Sequence, residues 1–496
     1  MIFINIIYIW TEKSPNKTIY TYINEKKEVE ETYTYLQFKN KTDKLAKYLI
    51  KNIKEDRLLL IYPTGLEFLV SFVACLKAKI IPIPAYPPNP FDLKKDIIKF
   101  YHIVNNSGAK IALTDKKYNF WSSLGTLKTL FTCKWPELNW IITDKLELSD
   151  NFSDIKLPEI NENDMAFIQY TSGTIKDPKP IKVRHKNLFH NLESIKNTLY
   201  LADLTNITWL PQYHDFGLIG ARLCTAYYGG TSIIISPLTF IKNPIFFLEL
   251  CSNYKATHIQ GPNFMFKFIC RKWNNMKLKP KIDLSSFYNI YNGAEIINVK
   301  DYLQFYETFK DYGIKKNLLT IGYGLAETVI YVCDTGTNNI RCKGNIIIDK
   351  ELFKKNIIKV VKNDGKIIAN CGRPHKNCNI KIKIYDNNKN EILDELKIGE
   401  IIVSSDSVVE EYKTLQIDDK KYLKTGDLGF LYQGELFVTG RIKDMMIING
   451  KNYYPNDFEW IIEKDNNIRG GSTAVFEDNN ILIAVTEIKK ISNNEN

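Results

Sequence analysis

No uninterrupted apolar run in this 496-residue chain is long enough to span a bilayer, which excludes a helical membrane protein. The opening "MIFINIIYIW" is apolar, yet it carries no basic residue and no small-residue cleavage site, so it does not read as a secretory leader. Phe3, Ile6, Ile7 and Trp10 fall at helical spacing and predict a packed first helix. There is no C-x-x-C pair and no Cys/His cluster at metal spacing. The nine cysteines are odd in number and dispersed, which fits reduced core thiols in a cytoplasmic protein and argues against a structural zinc. There is no basic block either. Lys+Arg 67 against Asp+Glu 56 gives +11, but the lysines are scattered and read as compositional drift rather than as a surface for an anionic partner. No aromatic-basic motif supports a nucleic-acid partner. Internal repeats are also lacking. What is present is 44% apolar and 12% aromatic residues, enough to bury a core over most of the chain, at a length that implies two to four domains or subdomains.

The order of patterns reads as an α/β fold. "LLLIYPTG" (58–65) is a short strand, "EFLVSFVACLKA" (67–78) has helical periodicity, and "IIPIPAYPPNP" (80–90) is a second strand ending in a proline-rich turn. Strand, helix and strand at this spacing imply a βαβ unit and a parallel sheet. "NWIIT" (139–143), "MAFIQYTSG" (165–173), "GTSIIISP" (230–237), "FYNIYNGAEI" (287–296) and "LLTIGYGLAETVI" (318–330) repeat the theme of an apolar strand closing in a polar or glycine-rich turn. Ligands in such sheets bind at the carboxyl ends of strands. Residues 331–370 read as an insertion that keeps its isoleucines. From about 379 the texture changes to short alternating strands with Asn, Asp and Gly turns. The expected organisation is a large N-terminal α/β domain (1–378) of parallel and mixed sheets with flanking helices. A small β-barrel-like, β-rich subdomain (379–443) and a partial C-terminal α+β subdomain (444–496) follow.

Five stretches carry chemistry. Thr171-Ser172-Gly173-Thr174 closes a strand, and its backbone amides and hydroxyls can hold phosphate oxygens without adding charge. It lacks Walker spacing, so taken alone a polar turn is the other reading. In "WLPQYHDFGLIG" (209–220), His214 and Asp215 are either a buried, locally satisfied pair or a pocket wall whose imidazole faces a substrate carboxylate. "YNGAE" (291–295) and "GYGLAET" (322–328) put glycine, which allows close approach to a flat base, beside an acidic residue. A carboxylate such as Glu327 near a triphosphate is repelled unless it holds Mg²⁺, which prefers oxygen ligands. "TGDLG" (425–429) places Asp427 in a turn where it can accept both hydroxyls of a ribose, with Arg441 of "GRIKD" as a neighbour.

Together and in this order the motifs resemble the adenylate-forming superfamily of acyl-CoA synthetases, peptide-synthetase adenylation domains and luciferases. Within it the chain is most similar to the fatty acyl-AMP ligases, over residues 1 to about 490. The phosphate-loop pattern aligns with Tyr170 to Pro180, and "IPIPAYPPNP", "WLPQYHDFGLIG", "ISPLTFIKNP", "GPNF", "NGAE", "YGLAET", "CGRP" and "LKTGDLGFLYQGELFVTGRIKD" follow in register. The resemblance implies that a fatty acid is adenylated by ATP with Mg²⁺. The acyl group then passes to the phosphopantetheine thiol of an acyl carrier protein or of a carrier domain on a polyketide or peptide synthetase. It implies roles for Thr171, Ser172, Gly173, Thr174 and Lys179 at the phosphates and for Glu327 at Mg²⁺. Asn292, Gly293, Ala294, Glu295, Tyr323 and Gly324 would line the adenine slot. Asp427 with Arg441 would hold the ribose, His214 would stand where acyl tunnel meets nucleotide, and Asp444 would be the hinge. Among these, His214, Glu327 and Thr171 would serve the chemistry directly.

Two departures temper the resemblance. Ile175, Lys176 and Pro180 stand where the family loop has Thr, Gly and Gly, which removes a hydroxyl, a permissive φ and an N–H donor. The C-terminal catalytic lysine of the family has no counterpart before Asn496, as though the last subdomain were cut short. A fragment, a broken reading frame and a degenerate copy all fit. Two rival functions therefore stand beside the ligase: a long-chain acyl-CoA synthetase, and a non-catalytic protein that still binds ATP or a fatty acid.

Overall fold

The structure, a computed structural model, describes residues 1–489 apart from 90–92, 130–134, 149–151, 153, 172–176, 200–202, 337–343, 411, 413, 449–450, 466 and 479–480; for 93–95, 124–129 and 199 it describes the backbone alone. The chain divides into two compact units. The first comprises Met1–Ile259, Ala326–Tyr331 and Asp406–Glu411, and the second Gln260–Leu325, Val332–Ser405 and Tyr412–Asn496.

In the first unit the predicted βαβ is present. Strands Arg57–Leu60 and Ile81–Pro84 pair in parallel, Arg57 opposite Ile81 and Leu60 opposite Pro84, with helix Leu66–Lys77 as the crossover. That helix is apolar on almost every side, and all of its residues are buried. Strands Ile111–Thr114 and Asn139–Ile142 extend the sheet, also in parallel. Its core gathers Leu59, Ile61, Ile83, Phe100, Ile168 and Tyr170. A second sheet runs Val29–Thr34, Thr18–Ile23, Thr231–Ile234, Thr205–Thr208, in parallel except for the first pair. The first helix, Phe3–Lys13, buries Phe3, Ile4, Ile7 and Thr11. Ile4 thus takes the inward position that the periodicity gave to Ile6. Trp10 donates from Nε1 to the Tyr227 carbonyl at 3.0 Å, and its ring fills the space that a Cβ on Gly229 (φ +73°) would need.

One strand differs from expectation. Met165–Tyr170 pairs antiparallel with Pro180–Arg184, Tyr170 opposite Pro180, instead of joining a parallel sheet. Residues 171–179 between them are too few for a crossover, so the chain turns back as a hairpin. Pro180 sits at the first position of its strand, where a missing N–H is tolerated.

In the second unit, Asn289–Asn292 and Leu319–Tyr323 are parallel neighbours, with Cys333–Asp334 antiparallel to the latter. The isoleucine-rich stretch after 331 forms three short strands, Ile346–Ile348, Val360–Val361 and Lys366–Ile368. Ile348, Ile358 and Ile368 are buried with Phe353, Phe430, Phe437 and Tyr454. Then comes an antiparallel sheet built from Ile380–Asp386, Glu391–Ile392, Gly399–Ser405, Thr414–Ile417, Lys420–Tyr432 and Glu435–Arg441. Past Asp444 the chain is α+β: a hairpin of Met446–Ile448 and Lys451–Tyr453, a helix Pro455–Ile462, and a hairpin of Ala474–Asp478 and Ile481–Val485. Among the described residues no helix is long and apolar enough to cross a membrane. All seven described cysteines are free thiols.

Candidate functional site

The first unit holds Thr171, Lys179, His214 and Glu327. Thr171 ties the ends of the candidate phosphate loop. Its N–H donates to the Lys179 carbonyl at 3.0 Å, and its Oγ1 accepts from the Lys179 N–H at 3.1 Å. The hydroxyl keeps its own proton to donate to a further acceptor. Ser172, Gly173 and Thr174, together with the substituted Ile175 and Lys176, lie outside the described residues.

His214 sits in the turn between strand Thr205–Thr208 and the helix Phe216–Leu223, which is wound as a π-helix, a form concentrated at functional sites. Its Nδ1 lies 2.6 Å from Asp215 Oδ1. Burial works against a charged imidazole, but the Asp215 carboxylate outweighs it and holds the pKa above the usual histidine value. The histidine is thus satisfied locally and biased toward the cation. The turn is anchored from several sides. Gln169 donates to the Tyr213 carbonyl at 2.8 Å, and Gln212 donates to the Pro63 carbonyl at 2.7 Å.

Glu327 lies in a single 3₁₀ turn, Ala326–Thr328, and its carbonyl accepts from the Val409 N–H at 3.0 Å. Two residues on, Val329 holds φ +70°, an outlier for a β-branched side chain. What sustains that strain was not visible in the sequence. Asn191, on helix His185–Leu199, donates to the carbonyls of Thr328 (2.9 Å) and Tyr331 (3.1 Å) and accepts from the Tyr331 N–H (3.2 Å). One turn earlier, Asn187 donates to the Asp406 carbonyl at 2.8 Å. Two asparagines spaced i, i+4 on the buried side of a helix are the signal that could have found this clamp.

The second unit holds the remaining candidates and brings most of them into direct contact. Tyr323 donates from its hydroxyl to Asp427 Oδ2 at 2.7 Å, and Arg441 Nε lies 3.2 Å from Asp427 Oδ1. Asp427 is 8% exposed. Burial raises its carboxyl above the ordinary range, and Arg441 and Tyr323 pull it back part of the way. The sequence placed Asp427 in a turn. It stands instead within the long strand Lys420–Tyr432, beside Gly426 (φ +78°), where a bulge breaks the pairing with Gly399–Ser405 and re-aims the carboxylate.

Asn292 is fully buried and donates to Asn263 Oδ1 at 3.2 Å, while its own Oδ1 has no partner among the described residues. The Gly293 N–H reaches the Gly261 carbonyl at 3.3 Å, and Ala294 holds a left-handed φ of +70°. Glu295 accepts from the Phe264 N–H at 2.8 Å. Although Glu295 is exposed to solvent, desolvation by the dense chain around it, with Glu463 and Asp301 nearby, pushes its carboxyl up to about 7. Gly322 leaves room for Tyr291, whose hydroxyl would collide with any Cβ there, and Gly324 follows the same strand end. Asp444 lies exposed in the turn after Arg441, to whose carbonyl its N–H donates at 3.2 Å.

Comparison with known proteins fits these features. The family model for AMP-binding enzymes matches residues 8–413. The medium-chain-fatty-acid–[acyl-carrier-protein] ligase JamA of Moorena producens is 33% identical, the alignment covering 88% of this chain and 76% of that protein. TtuA of Teredinibacter turnerae, of the same description, is 27% identical over the same shares. A solved fatty acyl-adenylate ligase from Legionella pneumophila, in complex with acyl adenylate and pyrophosphate, superposes with a TM-score of 0.81 at 32% identity, covering 98% of this chain and 86% of that one. The chain belongs to the AMP-binding enzyme family, with fatty acyl-AMP ligases among its relatives.

Proposed function

We propose that the protein adenylates a fatty acid with ATP, releasing pyrophosphate, and transfers the acyl group to the phosphopantetheine thiol of an acyl carrier protein. The observation that carries this reading is the Tyr323–Asp427–Arg441 contact, a desolvated carboxylate held by one phenol and one guanidinium and suited to two ribose hydroxyls. In the reaction a carboxylate oxygen attacks the α-phosphorus, the bond to the bridging α–β oxygen breaks, and that oxygen leaves with pyrophosphate. Two anions must meet, so the protein contributes alignment and charge compensation rather than a nucleophile.

In this reading the Thr171 hydroxyl and Lys179, with Ser172, Gly173 and Thr174, orient the phosphates. Asn292, Gly293, Ala294, Glu295, Tyr323 and Gly324 accept the adenine. The imidazolium-biased His214 faces the fatty carboxylate, and Asp444 is the pivot of the C-terminal segment. Glu327 is the residue that would hold Mg²⁺. Among the described residues no group of three His, Cys, Asp or Glu side chains could cage a metal. Mg²⁺ requires no such cage, since it takes one or two carboxylates together with waters and substrate phosphates. When bound, it supplies positive charge against the phosphate oxygens. The clamp of Asn191 on 326–331 keeps Glu327 in place.

The test is fatty-acid-dependent pyrophosphate release with hydroxylamine trapping, followed by thioester formation with holo-carrier protein or free CoA. The expected result is trapping with a fatty acid and a thioester on the carrier only. A thioester on CoA alone would favour the acyl-CoA synthetase reading, which relatives described as putative fatty-acid–CoA ligases support at 25% identity. Retained AMP binding with no turnover would favour a non-catalytic binder, the reading motivated by Ile175, Lys176 and Pro180.

A further inference from the structure

Arg222 lies on the π-helix Phe216–Leu223 and is 0% exposed. No carboxylate faces it among the described residues; its side chain donates from Nη1 to the Gly217 carbonyl at 2.6 Å and from Nη2 to the Leu210 carbonyl at 2.9 Å. Nε has no partner. A guanidinium taken out of water without a counter-ion is strongly disfavoured, and an apolar side chain of similar size would avoid that penalty. The cation's partners explain where it sits. Leu210 and Gly217 bracket the turn that carries His214 and Asp215, four residues before the histidine and three after it. The planar fork spans the two ends of that turn, which a lysine's single ammonium cannot reproduce. Gly217 completes the arrangement, because a Cβ there would collide with the Pro211 carbonyl and crowd Arg222 Nη1.

We infer that Arg222 is a positioning residue: an internal cation that fixes the span of the 210–217 turn and thereby the His214–Asp215 geometry presented to the acyl substrate. The role at the substrate rests on the function proposed above; the effect on the His214–Asp215 pair does not. Among the described residues the one charged group bearing on His214 is Asp215, so the titration of His214 reports the geometry of that pair.

The experiment compares full-length Arg222→Met, Arg222→Lys and Gly217→Ala with the wild type. Leu59→Ala, in the core of the first unit, is the destabilised control. The histidine ring protons are titrated by NMR, the His214 signal being assigned with His214→Gln, and fatty-acid-dependent pyrophosphate release is measured alongside. Arg222→Met is expected to lower the His214 titration midpoint toward that of free histidine and to cut kcat/KM for the fatty acid by about 10²-fold, with KM for ATP little changed. Gly217→Ala, which opens the same turn from its other side, should do the same, and Arg222→Lys should recover part of both effects. Leu59→Ala should lower the unfolding midpoint and leave the His214 titration where it was. An unmoved His214 titration in both Arg222→Met and Gly217→Ala would overturn the inference and leave Arg222 a packing residue. If the wild type shows no fatty-acid-dependent turnover, the proposed function fails, while the titration still decides the role of Arg222. Should Arg222→Met not fold, Gly217→Ala and Arg222→Lys carry the same decision.

Discussion

Replacing Asn191 with leucine removes its amide while keeping its branched outline, at a somewhat larger volume that adds an overpacking cost. Three of its bonds go to main-chain groups, to the Thr328 and Tyr331 carbonyls and from the Tyr331 N–H. At roughly 0.5–1.5 kcal/mol for each such bond, the variant should lose about 2–4 kcal/mol. It should also release the segment that holds Glu327 and the strained Val329. Asn191→Asp keeps the acceptor for Tyr331 but turns a carboxylate toward two carbonyl oxygens, so it should be worse than leucine. The assay is urea unfolding, where a lower midpoint at unchanged slope reports stability alone. Half-saturation by Mg²⁺ in pyrophosphate release gives the functional counterpart, and it should move to higher Mg²⁺. A loss below about 1 kcal/mol with an unchanged Mg²⁺ requirement would refute the argument that this amide holds the Glu327 segment in place.

Tyr323→Phe deletes a hydrogen bond to a buried carboxylate, a class worth about 1.5–3 kcal/mol, and should push the Asp427 carboxyl further up. Titrating AMP against pH should show binding lost at higher pH in the variant than in the wild type. Glu295, with its folded pKa raised to about 7, takes up a proton on folding between its unfolded value and neutrality. The protonated form is the better tolerated, so stability should fall as pH rises through that window, by a modest amount because solvent screens the exposed carboxyl, and Glu295→Gln should flatten the slope in thermal melts. Gly229→Ala meets both a left-handed φ and the Trp10 ring, so it should lower the unfolding midpoint and shift tryptophan fluorescence to the red.

Local patterns survived folding where local physics decides. The stretch 58–84 became strand, helix and strand because a helix apolar on almost every side, between two short apolar runs, is best satisfied as a buried crossover. The site motifs were legible for a related reason: each is short and contiguous. The environment of each motif was not, because it is built from partners distant in sequence. Asn191 reaches main-chain groups 137 and 140 residues away. Asp427 was read as a turn residue because "TGDLG" is turn-like, and only strand pairing reveals that Gly426 makes a bulge. The hairpin at 165–184 was misassigned because the same polar loop can close either a crossover or a reversal. Arg222 drew no attention, since an arginine in a helix is ordinarily solvated.

The first unit is assembled from pieces. Its bulk ends at Ile259, yet Ala326–Tyr331 and Asp406–Glu411 belong to it as well. A ribosome adding roughly 5–20 residues per second needs about 8–30 s to travel from 259 to 411. Throughout that interval the nascent chain carries the amides of Asn187 and Asn191 before their main-chain acceptors at 406, 328 and 331 have all been made. Ribosome-bound intermediates arrested near 260 should therefore stay protease-sensitive, and those arrested well past 411 should resist digestion.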